Sequence, residues 1–436
     1  MKIILGSQHG YTCEFIINNK RVVKREEMMK KILALILASI MLLGLVACGG
    51  TEDVKDDSKT DKAEEAEGEV VEEDQEKETP EKAEPKDSDD EIMIGISIWS
   101  STDTLGSQVK RMLDVAADAL NVKIMYVDQA HISEQVTASA ETLAAAGCDG
   151  IIICNSATAE MTSVINTCDE NEMYCAQFFR YINEEDNPNE FALGQASPYY
   201  VGAVHEDEVD NGANLVRILC EKGARKIALE GWEAGDATFL GRWTGYKKGI
   251  EDWNAANPDD QAELLEPQYG GTTADTGRAT AEAIINANPD IDALIVAGGG
   301  GDTLVGALAA IDSLGLKGDI QVASTDFLPD LEEQLETGGM STQSGGHFCD
   351  PLYAFLMVYN AIRGEYDVPT DDFYDILFPY IFVASVDDYS GYHQYFVENL
   401  PYTEEEVQEL ADKSFEDLSD AATSLSIEDV MQRHGE

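Results

Sequence analysis

Short apolar runs alternate with longer segments of mixed polarity along most of the chain. Residues 92–99, Ile-Met-Ile-Gly-Ile-Ser-Ile-Trp, form a nearly continuous apolar run, which is typical of a strand buried on both faces. Residues 106–120 follow, and there Val109, Met112 and Leu113 recur at helical spacing. The pattern therefore predicts a buried strand followed by an amphipathic helix.

The same alternation continues to about residue 325. It predicts further strands at 122–127, 151–154, 173–179, 226–230, 264–269, 291–296 and 320–323. It predicts further helices at 131–146, 161–170, 211–221, 239–254, 276–286 and 302–314. Apolar strands separated by helices indicate parallel sheets covered on both faces. Because the pattern restarts after residue 179, we expect an α/β protein with two doubly wound parallel-sheet lobes. Its ligands should bind in the cleft beyond the carboxyl ends of the strands.

The C-terminal part of the chain follows a different pattern. Residues 352–362 are predicted to be helical, and the aromatic-rich stretch 373–386 is predicted to be extended. Residues 404–411 and 427–434 indicate short acidic helices on the surface.

The N-terminal part predicts export. Met28-Met29-Lys30-Lys31 supplies a basic start, and residues 32–46 are an apolar run too short to span a membrane but suited to a signal peptide. The run ends in Leu-Val-Ala-Cys-Gly, residues 45–49, which resembles the bacterial lipobox, where the cysteine (here Cys48) is lipidated. The alternative is an ordinary secretory signal with a chance cysteine. Residues 1–27 fit no signal, so translation is expected to begin at Met28 or Met29.

An acidic segment links this signal to the rest of the chain. Residues 51–91 contain twenty Asp or Glu, six Lys and no aromatic residue, which predicts a disordered spacer. The formal net charge of the whole chain is −55, which makes binding to nucleic acid or to anionic lipid headgroups unfavourable. We therefore expect no nucleic-acid partner, and contact with the membrane only through the lipid anchor.

Cysteines give no sign of a metal site. Six of them follow the spacer, at positions 148, 154, 168, 175, 220 and 349. None forms a Cys-x-x-Cys pair, and His347 is the only histidine close to any of them, so no metal or other cofactor is expected. Buried free thiols are expected, and one disulfide among the four cysteines between 148 and 175 is the alternative outside the cell.

Five short motifs carry a resemblance to a known family. They are Gly147-Cys148-Asp149-Gly150 before the apolar run 151–153, Gly235 with Arg242 and Gly245, Gly306-Ala307-Leu308-Ala309-Ala310, Ser324-Thr325-Asp326, and the looser Thr342-Gln343. In this order, over roughly 300 residues, they resemble the periplasmic solute-binding proteins of the ribose-binding type, whose fold also forms the effector domain of LacI-like repressors. A lipobox precedes the domain in place of a helix-turn-helix, which separates the chain from the repressors.

The resemblance implies a type I periplasmic binding protein, with two lobes joined by a three-segment hinge. It implies a monomeric, lipid-anchored extracytoplasmic receptor that closes on a sugar or sugar-like molecule and delivers it to the permease of an ABC importer. The expected divisions are 1–27, an untranslated or misassigned start; 28–47, the signal peptide; 48–91, the tether; 92–196 plus 344–378, the N-terminal lobe; and 197–343 plus 379–436, the C-terminal lobe and tail. Hinge crossings are expected near residues 195–198, 326 and 343–346.

Ligand contacts in the N-terminal lobe are expected where strands end. Trp99-Ser100-Ser101-Thr102-Asp103 follows the first strand, and Phe179-Arg180 ends the fourth, where sugar binders of the family carry Asp-Arg. The alternatives are that Trp99 packs on the sheet end, Asp103 caps the next helix and Arg180 forms a surface salt bridge.

Ligand contacts in the C-terminal lobe follow from the resemblance. Asp326 and Gln343 fall at the positions of the family's ligand-binding Asp and hinge-proximal Gln, and the alternative for each is a cap on local backbone. Asp236 lies in a loop that either reaches the cleft or is capped locally, and Phe239 stands where sugar binders place an Arg.

The glycine run 297–306, Ala-Gly-Gly-Gly-Gly-Asp-Thr-Leu-Val-Gly, suggests a phosphate loop but lacks the lysine and the Gly-x-Gly-x-x-Gly spacing of one. Compared with the ribose-binding pattern, the ligand-holding Asn and Asp fall on Gly300 and Gly301, and a one-residue gap restores the Asp at Asp302. The resemblance therefore implies a ligand other than plain ribose. A bulkier or aromatic-faced ligand, and one with a carboxylate for Arg180, are both open.

Two other functions are alternatives to transport. The same fold can present a signal, such as a furanosyl autoinducer, to a membrane receptor kinase, and the sequence does not separate the two. A glycoside-acting enzyme needs two facing carboxylates. We expect no enzyme, because G-x-S-x-G, H-E-x-x-H and G-x-x-x-x-G-K-[ST] are all absent from the sequence.

Overall fold

The computed structural model describes residues 85–86, 91–130, 132–232, 237–298, 302–369 and 373–435. The predicted signal peptide, the lipidation site Cys48 and nearly all of the tether lie outside the described residues. Asp236, Gly300 and Gly301 also lie outside them.

The first sheet has six strands, all parallel, and the continuous apolar runs predicted the parallel arrangement but not the strand at 200–206. The strands are β1 (Ile92–Ile98), β2 (Val122–Asp128), β3 (Gly150–Ile153), β4 (Tyr174–Phe178), β5 (Tyr200–Glu206) and, later in the chain, β12 (Tyr374–Phe378). Their order across the sheet is β12-β5-β4-β3-β1-β2. Helices cover both faces, which explains why consecutive side chains such as Ile151, Ile152 and Ile153 are all buried.

The second sheet repeats this winding. Its strands are β6 (Lys226–Gly231), β7 (Glu263–Leu264), β8 (Gln268–Tyr269), β9 (Ala293–Val296), β10 (Gln321–Thr325), β11 (Thr342–Gly345) and β13 (Ile381–Val383). The order is β13-β11-β10-β9-β6-β7, with β8 paired to β6, and β13 is antiparallel to β11. The predicted fold class, an α/β protein with two doubly wound, mainly parallel lobes, is confirmed.

The helices alternate with the strands. They are α1 (Thr104–Leu120), α2 (Ser133–Ala145), α3 (Glu160–Glu170), α4 (Pro188–Ala196), α5 (Glu208–Glu221), α6 (Ala237–Ala256), α7 (Ala274–Ala287), α8 (Asp302–Ser313), α9 (Leu331–Glu336), α10 (Asp350–Ile362), α11 (Val386–Tyr392), α12 (Glu404–Ala411), α13 (Phe415–Thr423) and α14 (Ile427–Arg433). A 3₁₀ turn, His347–Cys349, precedes α10, and a π-helical turn, His393–Glu398, follows α11. None of the helices in the described part of the chain is both long and apolar enough to cross a membrane.

Two glycines, Gly212 and the motif residue Gly245, allow α5 and α6 to pack closely. A Cβ atom on Gly212 would lie 2.4 Å from the carbonyl oxygen of Arg242, and one on Gly245 would lie 2.2 Å from that of Val209. The backbones of the two helices therefore meet directly, and any larger side chain at either position would force them apart.

The first hinge crossing was predicted at residues 195–198 and lies elsewhere. Strand β5 still belongs to the first sheet, so the chain crosses between Glu206 and Glu208. The hydroxyl of Ser197 donates to Asp169 and accepts from the backbone N–H groups of Tyr199 and Tyr200. This turn sends the chain back into the first lobe.

The other crossings also differ in part from the prediction. Asp326 joins β10 to α9 within the second lobe, so the crossing predicted there is wrong. The crossing near residues 343–346 is confirmed, because β11 belongs to the second sheet and α10 packs on the first. A further crossing links β12 to β13, through residues 379–380.

The C-terminal tail was assigned to the second lobe, yet most of it packs on the first. Helix α12 packs against α1 and α10, and α13 packs against β12. Each of these helices has a buried apolar side, at Val407 and Leu418 for example, which the first lobe covers.

All six cysteines after the spacer are buried in the structure, as predicted. Cys168 and Cys175 lie in contact with each other, between α3 and β4. All six are free thiols in the described part of the chain, so the alternative of a disulfide among the four between 148 and 175 is not formed there.

Candidate functional site

The carboxyl ends of the two sheets border one cleft of about 760 Å³. This volume is within the range typical of small-molecule sites, about 300–1,000 Å³. Its walls come from loops after strands of both lobes and from the hinge. Predicted residues that line it are Trp99, Asp103, Phe179, Arg180, Asp302 and Asp326. Lining residues that the sequence did not predict include Gln129, Asn155, Glu206, Trp232, Tyr380 and Tyr392.

Two tryptophans occupy equivalent positions in the two lobes. Trp99 directly follows β1 and Trp232 directly follows β6, and these strands hold the same place in their sheets. The indole N–H of Trp99 donates to Asp103, 2.6 Å away, and the other carboxylate oxygen of Asp103 accepts from the backbone N–H of Gly106 at 2.7 Å. Asp103 therefore caps α1, as the alternative interpretation held, and also borders the cleft.

One glycine of the run 297–306 exists because of Trp232. A Cβ atom at Gly298 would lie 2.0 Å from the indole ring of Trp232. The ring therefore lies directly against the backbone of Gly298, and a larger residue at 298 does not fit while Trp232 keeps this position.

Phe179 and Asp326 form a second equivalent pair. They follow β4 and β10, the corresponding strands of the two lobes, and both have left-handed backbone, with φ of 57° and 67°. This conformation is costly for residues other than glycine and for Phe especially, and it tends to occur at functional sites. Asp326 is held there by its N–H, which donates to the carbonyl oxygen of Ser344 at 2.7 Å.

Gln343 supports this turn from beneath and does not line the cleft. It is fully buried, its side-chain NH₂ donates to the carbonyl oxygen of Asp326 at 2.7 Å, and its side-chain oxygen accepts from the N–H of Leu328 at 3.0 Å. These two bonds hold the Asp326 loop in place. Gln343 therefore caps local backbone and does not supply the predicted ligand contact.

Other predicted residues also lie away from the cleft. Ser101 hydrogen-bonds Asp128 through its N–H and hydroxyl groups, and Ser100 accepts from the N–H groups of Thr102 and Asp103, so this turn is organised by its own contacts. Phe239 is buried in the core of the second lobe, where its ring covers Gly231. Both differences arise because strand-end position is visible in the sequence and side-chain direction is not.

A buried ion pair joins the cleft to the hinge. Arg242 binds Glu208 through two bonds, Nε to Oε2 at 2.6 Å and Nη2 to Oε1 at 2.9 Å, and its Nη1 donates to the carbonyl oxygen of Ala297 at 2.9 Å. The hydroxyl of Tyr380 donates to Glu208 at 3.1 Å. Burial alone would raise the pKa of Glu208, but the Arg242 guanidinium holds it below its ordinary value.

Arg180 projects into the cleft from the end of β4. Its Nη1 donates to the carbonyl oxygen of Phe179 at 2.6 Å, and Glu206 and Glu208 are the nearby carboxyl groups that act on it electrostatically. Its remaining N–H donors are available to a ligand in the cleft. The predicted alternative, a surface salt bridge, is not seen among the described residues.

His347 packs between aromatic rings in the part of the cleft wall that the hinge forms. Its ring lies 5.2 Å from that of Phe179 and 4.9 Å from that of Tyr380, and its Nε2 is 3.6 Å from Asp326. Burial lowers the pKa of His347 below its usual value, so the imidazole is neutral at neutral pH.

Two buried carboxyl groups meet behind the cleft. Glu206 ends β5, Asp350 begins α10, and their side chains hydrogen-bond each other, which requires a shared proton. Burial, with the charge of Glu208, raises the pKa of Glu206 to about 8. Burial and Glu206 together raise the pKa of Asp350 well above its usual range.

The cleft carries more negative than positive groups. Its lining carboxyls are Asp103, Glu206, Glu208, Asp302 and Asp326, and Arg180 and Arg242 are the only cations among the described lining residues. No cluster of three His, Cys, Asp or Glu side chains suited to a metal ion occurs in the described part of the chain. Aromatic faces beside charged hydrogen-bonding groups suit a ring whose C–H face stacks while its hydroxyls bond.

The raised pKa of Glu206 predicts how stability changes with pH. A group whose pKa is raised on folding stabilises the native state fully below its unfolded pKa, and this contribution is lost as pH rises toward the folded pKa. From about pH 5 to about pH 8 the wild type should therefore lose unfolding free energy relative to Glu206→Gln. The relative loss should be on the order of 1 kcal/mol per pH unit.

Urea unfolding at several pH values measures this difference. Glu221→Gln, on the surface of α5, is the matched control and should run parallel to the wild type. Parallel curves for Glu206→Gln as well would contradict the buried, shared-proton assignment.

Comparison with known proteins places this cleft in a family. Residues 94–351, more than half of the chain, match the family model described as a periplasmic binding protein domain. No curated protein matches the chain in sequence.

Solved structures show the same fold at low identity. A periplasmic solute-binding protein of an ABC transporter from Actinobacillus succinogenes, with bound D-allose, is 15% identical with a TM-score of 0.57, over 69% of this chain and 100% of that one. The binding component of the arabinose ABC transporter from a Shewanella species, bound to L-arabinofuranose, is 19% identical with a TM-score of 0.56, over 69% and 95%. A solute-binding protein from Bacillus halodurans, with bound myo-inositol, is 19% identical with a TM-score of 0.55, over 70% and 98%.

The match covers β1 to the start of α10 and includes the strand ends that line the cleft. The chain therefore belongs to the periplasmic binding protein family, and its two doubly wound lobes have the type I fold of that family.

Proposed function

We propose that the protein captures a sugar or a related polyhydroxylated ring in the cleft and releases it to an ABC importer. The observation that carries this proposal is the equivalent pair Trp99 and Trp232, one from each lobe, at the border of a cleft that also holds Arg180 and Asp326. Each lobe supplies an aromatic face and a charged hydrogen-bonding group, so a ligand gains its full set of contacts only when the lobes close around it.

Closure follows from this division of contacts. A ligand shifts an equilibrium between open and closed forms only by its difference in affinity for the two. Ligand contacts divided between the lobes provide that difference, and the glycines of the crossing after β11 allow the backbone to rotate.

The charge of the cleft favours a neutral ligand. Glu206 keeps its proton at neutral pH, and Glu208 and Arg242 are paired with each other. The carboxyl groups of Asp103, Asp302 and Asp326 then outnumber the guanidinium of Arg180, so the cleft disfavours a sugar acid. The molecules bound in the three similar structures, D-allose, L-arabinofuranose and myo-inositol, are all neutral polyhydroxylated rings. This supports a neutral ligand over one that carries a carboxylate for Arg180.

The location and delivery are part of the same proposal. The apolar run 32–46 and the lipobox-like residues 45–49 support export followed by lipidation of Cys48. The acidic spacer then holds a monomeric binding domain away from the membrane, where it can reach the permease.

A ligand screen tests the function. At a hundred times its dissociation constant, a ligand should add about 2.7 kcal/mol to the unfolding free energy. We expect neutral hexoses, pentoses or cyclitols to raise the melting temperature, and the matching sugar acids to have less effect. Stabilisation by sugar acids alone would contradict the charge argument, and no stabilisation by any sugar or cyclitol would contradict the function.

Substitutions in the cleft test the site. Arg180→Ala and Asp326→Asn should each weaken binding of the screened ligand at least tenfold, equal to about 1.4 kcal/mol, measured by calorimetry. Asn is chosen at 326 because it tolerates the left-handed backbone there. Arg217→Ala, on the surface of α5, and Ser101→Ala, outside the cleft, are the controls. Unchanged affinity in both cleft variants would overturn the assignment.

Replacement of the lipidation site tests the anchor. Cys48→Ser should shift the protein from the membrane fraction to the soluble extracytoplasmic fraction when it is expressed in a bacterial host. The replacement of Cys148, which is buried in the folded domain, by Ser should leave the protein on the membrane. Membrane association of Cys48→Ser equal to that of the wild type would show that another feature anchors the chain.

A further inference from the structure

Residues 386–435, here called the strap, lie beyond the matched region 94–351 and connect the lobes once more. The strap begins on the second lobe. Helix α11 packs against α9 and β13, and the ammonium of Lys222, after α5, donates to the carbonyl oxygen of Ala384 at 2.6 Å just before the strap starts.

The strap ends on the first lobe. Arg111 of α1 donates from Nη1 to the carbonyl oxygen of Val397 at 2.7 Å and from Nη2 to that of Glu398 at 3.2 Å. Gln408 of α12 donates to the carbonyl oxygen of Ala119 at 2.9 Å. The hydroxyl groups of Tyr353, in α10, and Tyr402 hydrogen-bond each other within the core.

The part of the strap that links its second-lobe contacts to its first-lobe contacts is short. It is the π-helical turn His393–Glu398, and its end is the point that Arg111 holds. Turns of this type are rare and are often found at functional sites. Because α11 is fixed to one lobe and α12 to the other, separation of the lobes must either release these contacts or unwind the turn.

Tyr392 joins the strap to the cleft. It is the last residue of α11, it lines the cleft, and it is 3% exposed. Its ring lies 4.3 Å from that of Phe327, which also lines the cleft, and 5.4 Å from that of Phe396. Its hydroxyl group hydrogen-bonds Gln108 of α1, in the first lobe.

The same tyrosine also lies close to the hinge. A Cβ atom on Gly346, in the crossing that follows β11, would lie 3.5 Å from the Tyr392 ring. Any rotation of the lobes about that crossing therefore changes the contacts of Tyr392.

We propose that the strap is a fourth inter-lobe connection among the described residues, which limits how far the lobes open. Tyr392 is its positioning residue, because it links the second-lobe end of the strap to Gln108 of the first lobe and to the wall of the cleft. The restraint acts on the ligand-free protein and does not depend on which ligand binds.

Distances between the lobes test this proposal without a ligand. Glu141→Cys, on α2, and Glu251→Cys, on α6, place spin labels on exposed positions of the two lobes, and the six native thiols of the folded domain are buried and unreactive by comparison. Cys13→Ser and Cys48→Ser remove the two cysteines outside the described residues. Pulsed electron resonance on this full-length chain then gives the distribution of inter-lobe distances.

Arg111→Ala should shift this distribution to longer distances by more than its width in the wild type, because Arg111 is exposed and its main contacts are to the strap. Arg111→Lys, which keeps the charge and a single donor nitrogen in place of two, should give a smaller shift than Arg111→Ala. Arg217→Ala should have no effect. Tyr392→Phe keeps the ring packing, removes the bond to Gln108, and should shift the distribution in the same direction.

Each outcome decides the proposal. Distributions for Arg111→Ala and Tyr392→Phe that superimpose on the wild type would overturn it, whatever the ligand screen finds. A shift in both variants supports it even if no sugar binds. An unfolding midpoint equal to that of the wild type shows that a shift reflects opening and not partial unfolding.

Discussion

The largely buried ion pair between Glu208 and Arg242 ties two of the crossings between the lobes to the second lobe. Glu208 is the first residue of the second lobe after the chain leaves β5, and Tyr380, which donates to it, lies in the crossing between β12 and β13. Loss of one partner from such a pair typically costs about 3–5 kcal/mol, since the other charge is left buried. The pair therefore fixes two crossings to α6, and through Ala297 it fixes the end of β9 at the cleft.

The fold could be predicted from the sequence because parallel strands covered on both faces require continuous apolar runs, which are easily recognised. Runs such as Ile151-Ile152-Ile153 can be buried on both sides in few other ways. The positions at which the chain crosses between the lobes have no comparable pattern in the sequence. Tyr200–Glu206 is as apolar as a strand of either sheet, and the turn at Ser197 that keeps it in the first lobe depends on a contact with Asp169, distant in sequence.

The candidate site could be predicted only in part, for a related reason. Strand ends located Trp99, Phe179, Arg180 and Asp326 correctly at the border of the cleft, but Gln343 and Phe239 turn into the interior. Trp232 was missed, although a comparison of the two lobes would have found it. It follows β6 as Trp99 follows β1, so the internal repeat of the fold was a signal in the sequence.

The glycine beneath Trp232 has a consequence for how such a receptor can change. Because the indole rests on bare backbone at Gly298, the shape of that wall is set by a side chain and not by the path of the main chain. A smaller or differently shaped ring at 232 would reshape the cavity while β6 and β9 stay where they are. A single substitution at 232 is thus a route to a new ligand preference that does not require either strand to move.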